Sequence, residues 1–90
     1  MEVKIEDWNI EEWHETFDYV QHTAFGKKII TGTIKADNKT GTFRYYKYWE
    51  YGNNGVNVEV DIDLPKEKIK QIKKYLQNEI ERLVEEYMRG

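Results

Sequence analysis

Residues 43 to 51 read Phe43-Arg44-Tyr45-Tyr46-Lys47-Tyr48-Trp49-Glu50-Tyr51, with six aromatics in nine positions. Aromatic side chains favour strands, where they pack on a pleated, half-buried surface. A strand sends successive side chains to opposite faces. Phe43, Tyr45, Lys47, Trp49 and Tyr51 therefore share one face, and Arg44, Tyr46, Tyr48 and Glu50 share the other. A strand with aromatics on both faces either lies inside a thick structure or offers its second face to a partner.

The chain has 90 residues, which suits a single domain (1–90) with one core and little room for an enclosed active site. It contains neither cysteine nor serine. That excludes a disulfide framework, a thiolate metal site and the two commonest covalent nucleophiles. No apolar run approaches the ~20 residues that span a bilayer, and Met1 to Glu6 lacks the pattern of a signal peptide. The expectation is a cytoplasmic protein that is not an enzyme and needs no cofactor or metal.

Net charge is −3, and it comes in blocks. Residues 1–26 carry seven acids and one base, and residues 27–49 six bases and one acid. Residues 50–65 carry four acids and no base, and residues 66–90 seven bases and five acids. Separate acidic and basic patches follow, while the overall sign disfavours non-specific nucleic-acid binding.

Residues 10–25 read as a helix. Ile10, Trp13, Phe17, Val20 and Ala24 recur at spacings of three and four, which is one helix face. Asn9 with Glu12 fits a capping box, Trp8 with Trp13 a hydrophobic staple, and Gly26 a stop. The competing reading is a strand over Thr16 to Val20, and residues 2–6 alternate as a short edge strand would. Three strands follow: Ile29 to Lys35, the aromatic strand, and Val56 to Leu64. Ala36 to Gly41 forms the first loop, and Gly52-Asn53-Asn54-Gly55 is a hairpin signal.

Placing Tyr51 opposite Val56 puts Trp49 beside Val58, Tyr45 beside Ile62 and Phe43 beside Leu64. A four-residue first loop puts Ile34 beside Phe43 and Gly32 beside Tyr45, where the missing side chain leaves room for a ring. Pro65 opens a last helix, with Ile69, Ile72, Leu76, Ile80, Leu83, Val84 and Tyr87 as its apolar stripe. The predicted fold is α+β. It is a three-stranded antiparallel meander with an N-terminal helix and a long C-terminal helix (α-β-β-β-α), both helices on one sheet face.

The outward sheet face then carries Arg44, Tyr46 and Tyr48, with Glu59, Asp61 and Asp63 on the adjoining strand. Aromatics on an open sheet can stack bases, but the acidic neighbours repel phosphates. Tyrosine and arginine are enriched at protein interfaces, so a protein contact through Arg44, Tyr46, Tyr48, Glu59 and Asp61 is the better fit, against solvated cross-strand pairs as the plain alternative. Lys47 faces inward. A buried ammonium needs snorkelling, an acidic partner from a helix or a bulge. His14, Asp18 and His22 share a helix face but stretch over about 12 Å, too far for one metal ion.

Glu11, Glu12, Glu15 and Asp18 form the wet side of the first helix, or an acidic surface that imitates a row of phosphates. Lys66, Lys68, Lys70, Lys73 and Lys74 crowd the start of the last helix, where the dipole disfavours cations. Four of them, Lys66, Lys70, Lys73 and Lys74, would serve an alternative function of RNA or DNA binding. The α-β-β-β-α order resembles double-stranded RNA-binding domains in topology alone. In general character the chain resembles small acidic sheet-and-helix proteins of phages and mobile elements, anti-CRISPR inhibitors among them. That resemblance implies a small regulator or inhibitor acting on a nucleic-acid-handling protein.

The expected function is thus a non-catalytic protein-binding module, and the partner is another protein. A homodimer is also expected: the ridge Lys66, Lys70, Lys73, Lys74, Gln77, Glu81, Glu85 changes sign along its length. Laid antiparallel on its own copy, it is self-complementary.

Overall fold

The computed structural model describes residues 1–20, 23–50 and 53–89, without the side chains of Asp18 and Thr23. Strands β1 (Val3–Asp18), β2 (Thr23–Ala36), β3 (Lys39–Glu50) and β4 (Asn53–Asp61) precede one helix, α1 (Lys66–Arg89). The strands form one antiparallel sheet in the order β1-β2-β3-β4. Among the described residues the expected N-terminal helix over 10–25 is replaced by the end of β1 and the start of β2, and the sheet has four strands rather than three. No helix among the described residues is long and apolar enough to cross a membrane.

Strand β1 looks helical in sequence because it is bulged twice. Its register against β2 slips between Ile5 and Asp7 and again between Ile10 and Glu12, leaving Glu6 and Glu11 as inserted residues. Each bulge places two residues opposite one and stretches the local period from two to three. Val3, Ile5, Trp8, Ile10, Trp13, Glu15 and Phe17 consequently fall on one face, opposite Ala36, Ile34, Gly32, Ile30, Lys28, Gly26 and Ala24. The step from Ile10 to Trp13 crosses a bulge and the step from Trp13 to Phe17 is two strand periods, which together imitate a helix. Trp8 and Trp13 both point at the core as strand residues, so neither staple nor cap is formed.

The register of β3 also differs from expectation while its faces do not. Gly32 pairs with Phe43, Ile30 with Tyr45 and Ala36 with Lys39. The connection is therefore a two-residue turn, Asp37-Asn38, with φ of 49° and 63°. Both residues lie in the left-handed region that a type I′ hairpin turn requires, and Asp and Asn tolerate it. On the other side Trp49 pairs with Asn54, Lys47 with Val56, Tyr45 with Val58 and Phe43 with Val60. Asn53 and Asn54 thus belong to β4 rather than to the turn, and the pairing of Tyr51 with Val56 is lost; Tyr51 and Gly52 lie outside the described residues. The shift is an even number of residues, so every inward side chain stays inward. The expectation of a glycine under a ring is met by a different ring: a side chain on Gly32 would collide with Phe43.

Helix α1 covers the Ile30–Tyr45–Val58 face. Its first residues follow Pro65, whose carbonyl accepts the Ile69 N–H at 3.1 Å. Ile72, Leu76, Ile80 and Val84 are fully buried, packed with Ile30, Ile34, Phe43, Tyr45, Val58 and Ile62. Ile69 and Leu83 are partly buried at the margin. Tyr87 is exposed but sets its ring edge-on to Trp8, with centroids 5.1 Å apart. One helix on one face leaves the opposite face of the sheet uncovered by the described residues.

Candidate partner-binding face

Two groups of functional side chains emerge, one on each face. On the helix side Glu81 gathers three donors. Its Oε1 accepts from Lys28 Nζ at 2.9 Å, and its Oε2 from the Tyr45 hydroxyl at 2.9 Å and Lys47 Nζ at 3.1 Å. Glu15 adds a second carboxylate 3.3 Å from Lys28, and the Trp13 ring centroid lies 4.1 Å from the same ammonium. Lys28 is only 5% exposed. Burial alone would lower its pKa, but the bonds to Glu81 and Glu15 outweigh that and raise it. For Glu81 burial pushes upward, and the bonds from Lys28, Lys47 and Tyr45 hold it below the usual carboxylate range. Burial, reinforced by Glu81, raises the Tyr45 phenol.

Lys28, Lys47, Tyr45 and Glu81 each meet an opposite charge or a hydrogen bond here. The network clamps α1 to β1, β2 and β3. It answers the question posed by Lys47, whose acidic partner comes from the last helix. Lys28 and its carboxylates were missed in the sequence, because nothing distinguishes Lys28 from Lys27 until a register is known.

The uncovered face is built differently. Arg44, Tyr46 and Tyr48 do share it, and β4 sets Glu59 beside Arg44, Asn57 beside Tyr46 and Gly55 beside Tyr48. Asp61 lies opposite Thr42 at the far end, and Asp63 is beyond the strand, 3.7 Å from Lys39. From β2 the same face receives Lys27 opposite Tyr48, Ile29 opposite Tyr46 and Thr31 opposite Arg44. Strand β1 adds Glu12 opposite Ile29 and His14 opposite Lys27. The Lys27 ammonium and the Arg44 guanidinium each lie 5.6 Å from the Tyr46 ring centroid. The Tyr46 and Tyr48 centroids are 5.7 Å apart. Glu12 is 3.7 Å from Lys27. Tyr48 is 41% exposed, whereas Ile29 is 5% exposed although no helix lies over it.

The tyrosines are therefore bordered by cations from β2 and β3 as well as by the acids of β4. That contribution of β2 was hidden because the expected β2–β3 register was two residues off and the expected strand began at Ile29. A shallow hollow at the end of the sheet is lined by His14, Phe25, Lys27, Tyr46 and Tyr48. It holds no enclosed cavity of the kind small-molecule sites use.

The expected acidic row does not form. Glu11 is a bulge residue that accepts from the Thr31 hydroxyl at 3.4 Å, Glu12 lies on the open face, and Glu15 turns inward to Lys28. A helix would have kept them together; a bulged strand separates them. Asp18 lies beyond Thr16 on β1. His14 is on the open face, and His22 lies outside the described residues. Lys66, Lys70, Lys73 and Lys74 are exposed on α1, while Lys68 is paired with Asp37. Glu81, which the self-complementary helix ridge needs in its acidic half, faces the sheet instead.

No protein-family model, curated protein or solved structure matches this chain.

Proposed function

We propose that the chain is a non-catalytic protein-binding module whose contact surface is the sheet face opposite the helix, centred on Arg44, Tyr46 and Tyr48. One observation carries this reading: Ile29 is 5% exposed beneath an aromatic cluster that none of the described elements covers. Tyrosine and arginine held against a desolvated apolar floor are the composition of binding hot spots. The cations on either side of Tyr46 hold its ring in place before any partner arrives, which reduces the ordering cost of association. Glu59, Asp61 and Glu12 supply a charged rim. A surface of this kind suits a small regulator or inhibitor that occupies another protein.

The test is comparative capture from an extract of the organism that encodes the protein, with wild type and a Tyr46→Ala/Tyr48→Ala variant side by side. The variant stays folded, with an unfolding midpoint lowered by the uncovering of Ile29, and loses the partner, with affinity reduced at least about thirtyfold if the pair is a hot spot. Retention of the same proteins by both forms overturns the reading. So does salt-sensitive binding of RNA or DNA that disappears in a Lys70→Glu/Lys74→Glu variant, which installs the lysine-rich helix start as the working surface.

A further inference from the structure

The two edges of the sheet are treated in opposite ways. Strand β1 is bulged twice, and both inserted residues are glutamates. Bulges and charges are what edge strands carry to refuse pairing with other chains. Strand β4, the other edge, runs without a register shift from Asn53 to Asp61. It has no proline, no lysine and no bulge, its two charges, Glu59 and Asp61, lie in its last three residues, and its outer row of backbone groups faces away from β3. On its inner face Val56 is 40% exposed while Val58, two residues on, is 7% exposed.

We propose that β4 pairs antiparallel with β4 of a second copy of this chain, centred on Asn57, to form one continuous eight-stranded sheet. That register keeps the two acids of the strand away from their copies. Asn57 meets Asn57, Val56 meets Val58, Glu59 meets Gly55 and Asp61 meets Asn53, so no like charges stand opposite one another. Displacing the centre by two residues toward the C-terminus would set Glu59 against Glu59. Gly55 adds a specific fit. The Tyr48 ring lies so close over it that its Cε1 stands 2.6 Å, and its hydroxyl 3.0 Å, from the point a Cβ would occupy. That hydroxyl consequently overhangs the edge strand where the pairing places the Glu59 carboxylate of the second copy, and symmetry makes the contact twice.

Helix α1 leaves the β4 edge open. It starts beyond the end of β4 and crosses the sheet toward β1, with Glu81 on Lys28 and Tyr87 on Trp8. A two-fold axis at the β4 edge keeps both helices on one side of the joint sheet. The open faces of the two copies also become continuous, with Tyr46 flanking Asn57 on both sides of the axis. That last consequence rests on the proposed function, while the pairing does not.

Asn57 is exposed and meets itself at the axis, which allows a test by charge. Sedimentation equilibrium at about 100 μM is run on wild type, Asn57→Lys, Asn57→Asp and an equimolar mixture of the two variants. Wild type is expected at twice 10.9 kDa. Each variant alone shifts at least tenfold toward monomer through like-charge repulsion, and the mixture recovers the dimer. A single 10.9 kDa species for wild type at this concentration overturns the proposal. A wild-type dimer that Asn57→Lys leaves intact overturns it too, because the interface then lies elsewhere. The Tyr46→Ala/Tyr48→Ala variant tells the two readings apart: it loses partner capture yet still sediments as a dimer at this concentration, because the backbone pairing of β4 and the Asn57 contact need neither ring.

Discussion

The Glu81 carboxylate accepts from the Lys28 ammonium at 2.9 Å across the interface between α1 and β2. Lys28 is 5% exposed, so its charge depends on that bond. Removing one partner of a buried pair strands the other, at a cost of about 3–5 kcal/mol. Glu81→Ala is expected to lose stability on that scale in urea unfolding. Lys28→Met combined with Glu81→Leu is expected to recover most of it, since replacing both charges removes the stranded group. Lys47 and Tyr45 also bond to Glu81, so recovery is incomplete.

The same network sets the response to pH. Glu81 is held below its ordinary pKa in the folded state, so its contribution is present above the ordinary carboxylate value and is lost as pH falls through the depressed one. Lys28 is raised, so its contribution is intact below the ordinary lysine value and is lost as pH rises through the raised one. Thermal unfolding midpoints are expected to plateau near neutrality and to fall in acid below about pH 4. Glu81→Gln should flatten the acid limb selectively, and an unchanged acid limb in that variant would refute the assignment.

Deleting Glu11 is expected to leave the fold intact. It is an inserted residue, with Ile10 opposite Ile30 and Glu12 opposite Ile29 on either side. Its removal makes a regular strand with every neighbour on its present face. Deleting His14, three residues away, flips Glu15 to Phe17 onto the wrong face, takes Glu15 from Lys28 and should lower the melting temperature measurably. Circular dichroism melts compare the two directly. The double deletion of Glu6 and Glu11 also removes the edge protection of β1, so concentration-dependent aggregation is expected from it by light scattering.

The turn between β2 and β3 is open to improvement. Asp37 and Asn38 both have positive φ, and glycine adopts that region without a Cβ penalty. Asn38→Gly is expected to stabilise by a few tenths to about 1 kcal/mol. Asn38→Val is expected to destabilise by at least about 1 kcal/mol, because a β-branched residue there is a steric outlier. Chemical denaturation midpoints distinguish the two outcomes.

Much of the architecture is determined by the sequence alone. Alternation in residues 43–51 assigns both faces of β3, because the pleat allows no other distribution. Alternation in β4 and the ridge of α1 likewise identify which side chains enter the core. The demand that Lys47 places on an acidic partner is legible too, since a buried ammonium cannot stand alone. Local pattern has no power over two other matters. In β1 the bulges alter the period itself, and whether Ile10, Trp13 and Phe17 line a helix or a kinked strand is decided by β2, whose backbone pairs around Glu6 and Glu11. In the hairpins an even slip preserves every face, so hydrophobic patterning cannot choose between registers. The Asp37-Asn38 turn chooses, and with it which side chains of β2 meet Tyr46. The sequence thus determined that two tyrosines and an arginine face outward. Only the tertiary structure decided that Ile29 lies beneath them and Lys27 beside them, because that neighbourhood is a property of strand pairing and not of any one strand.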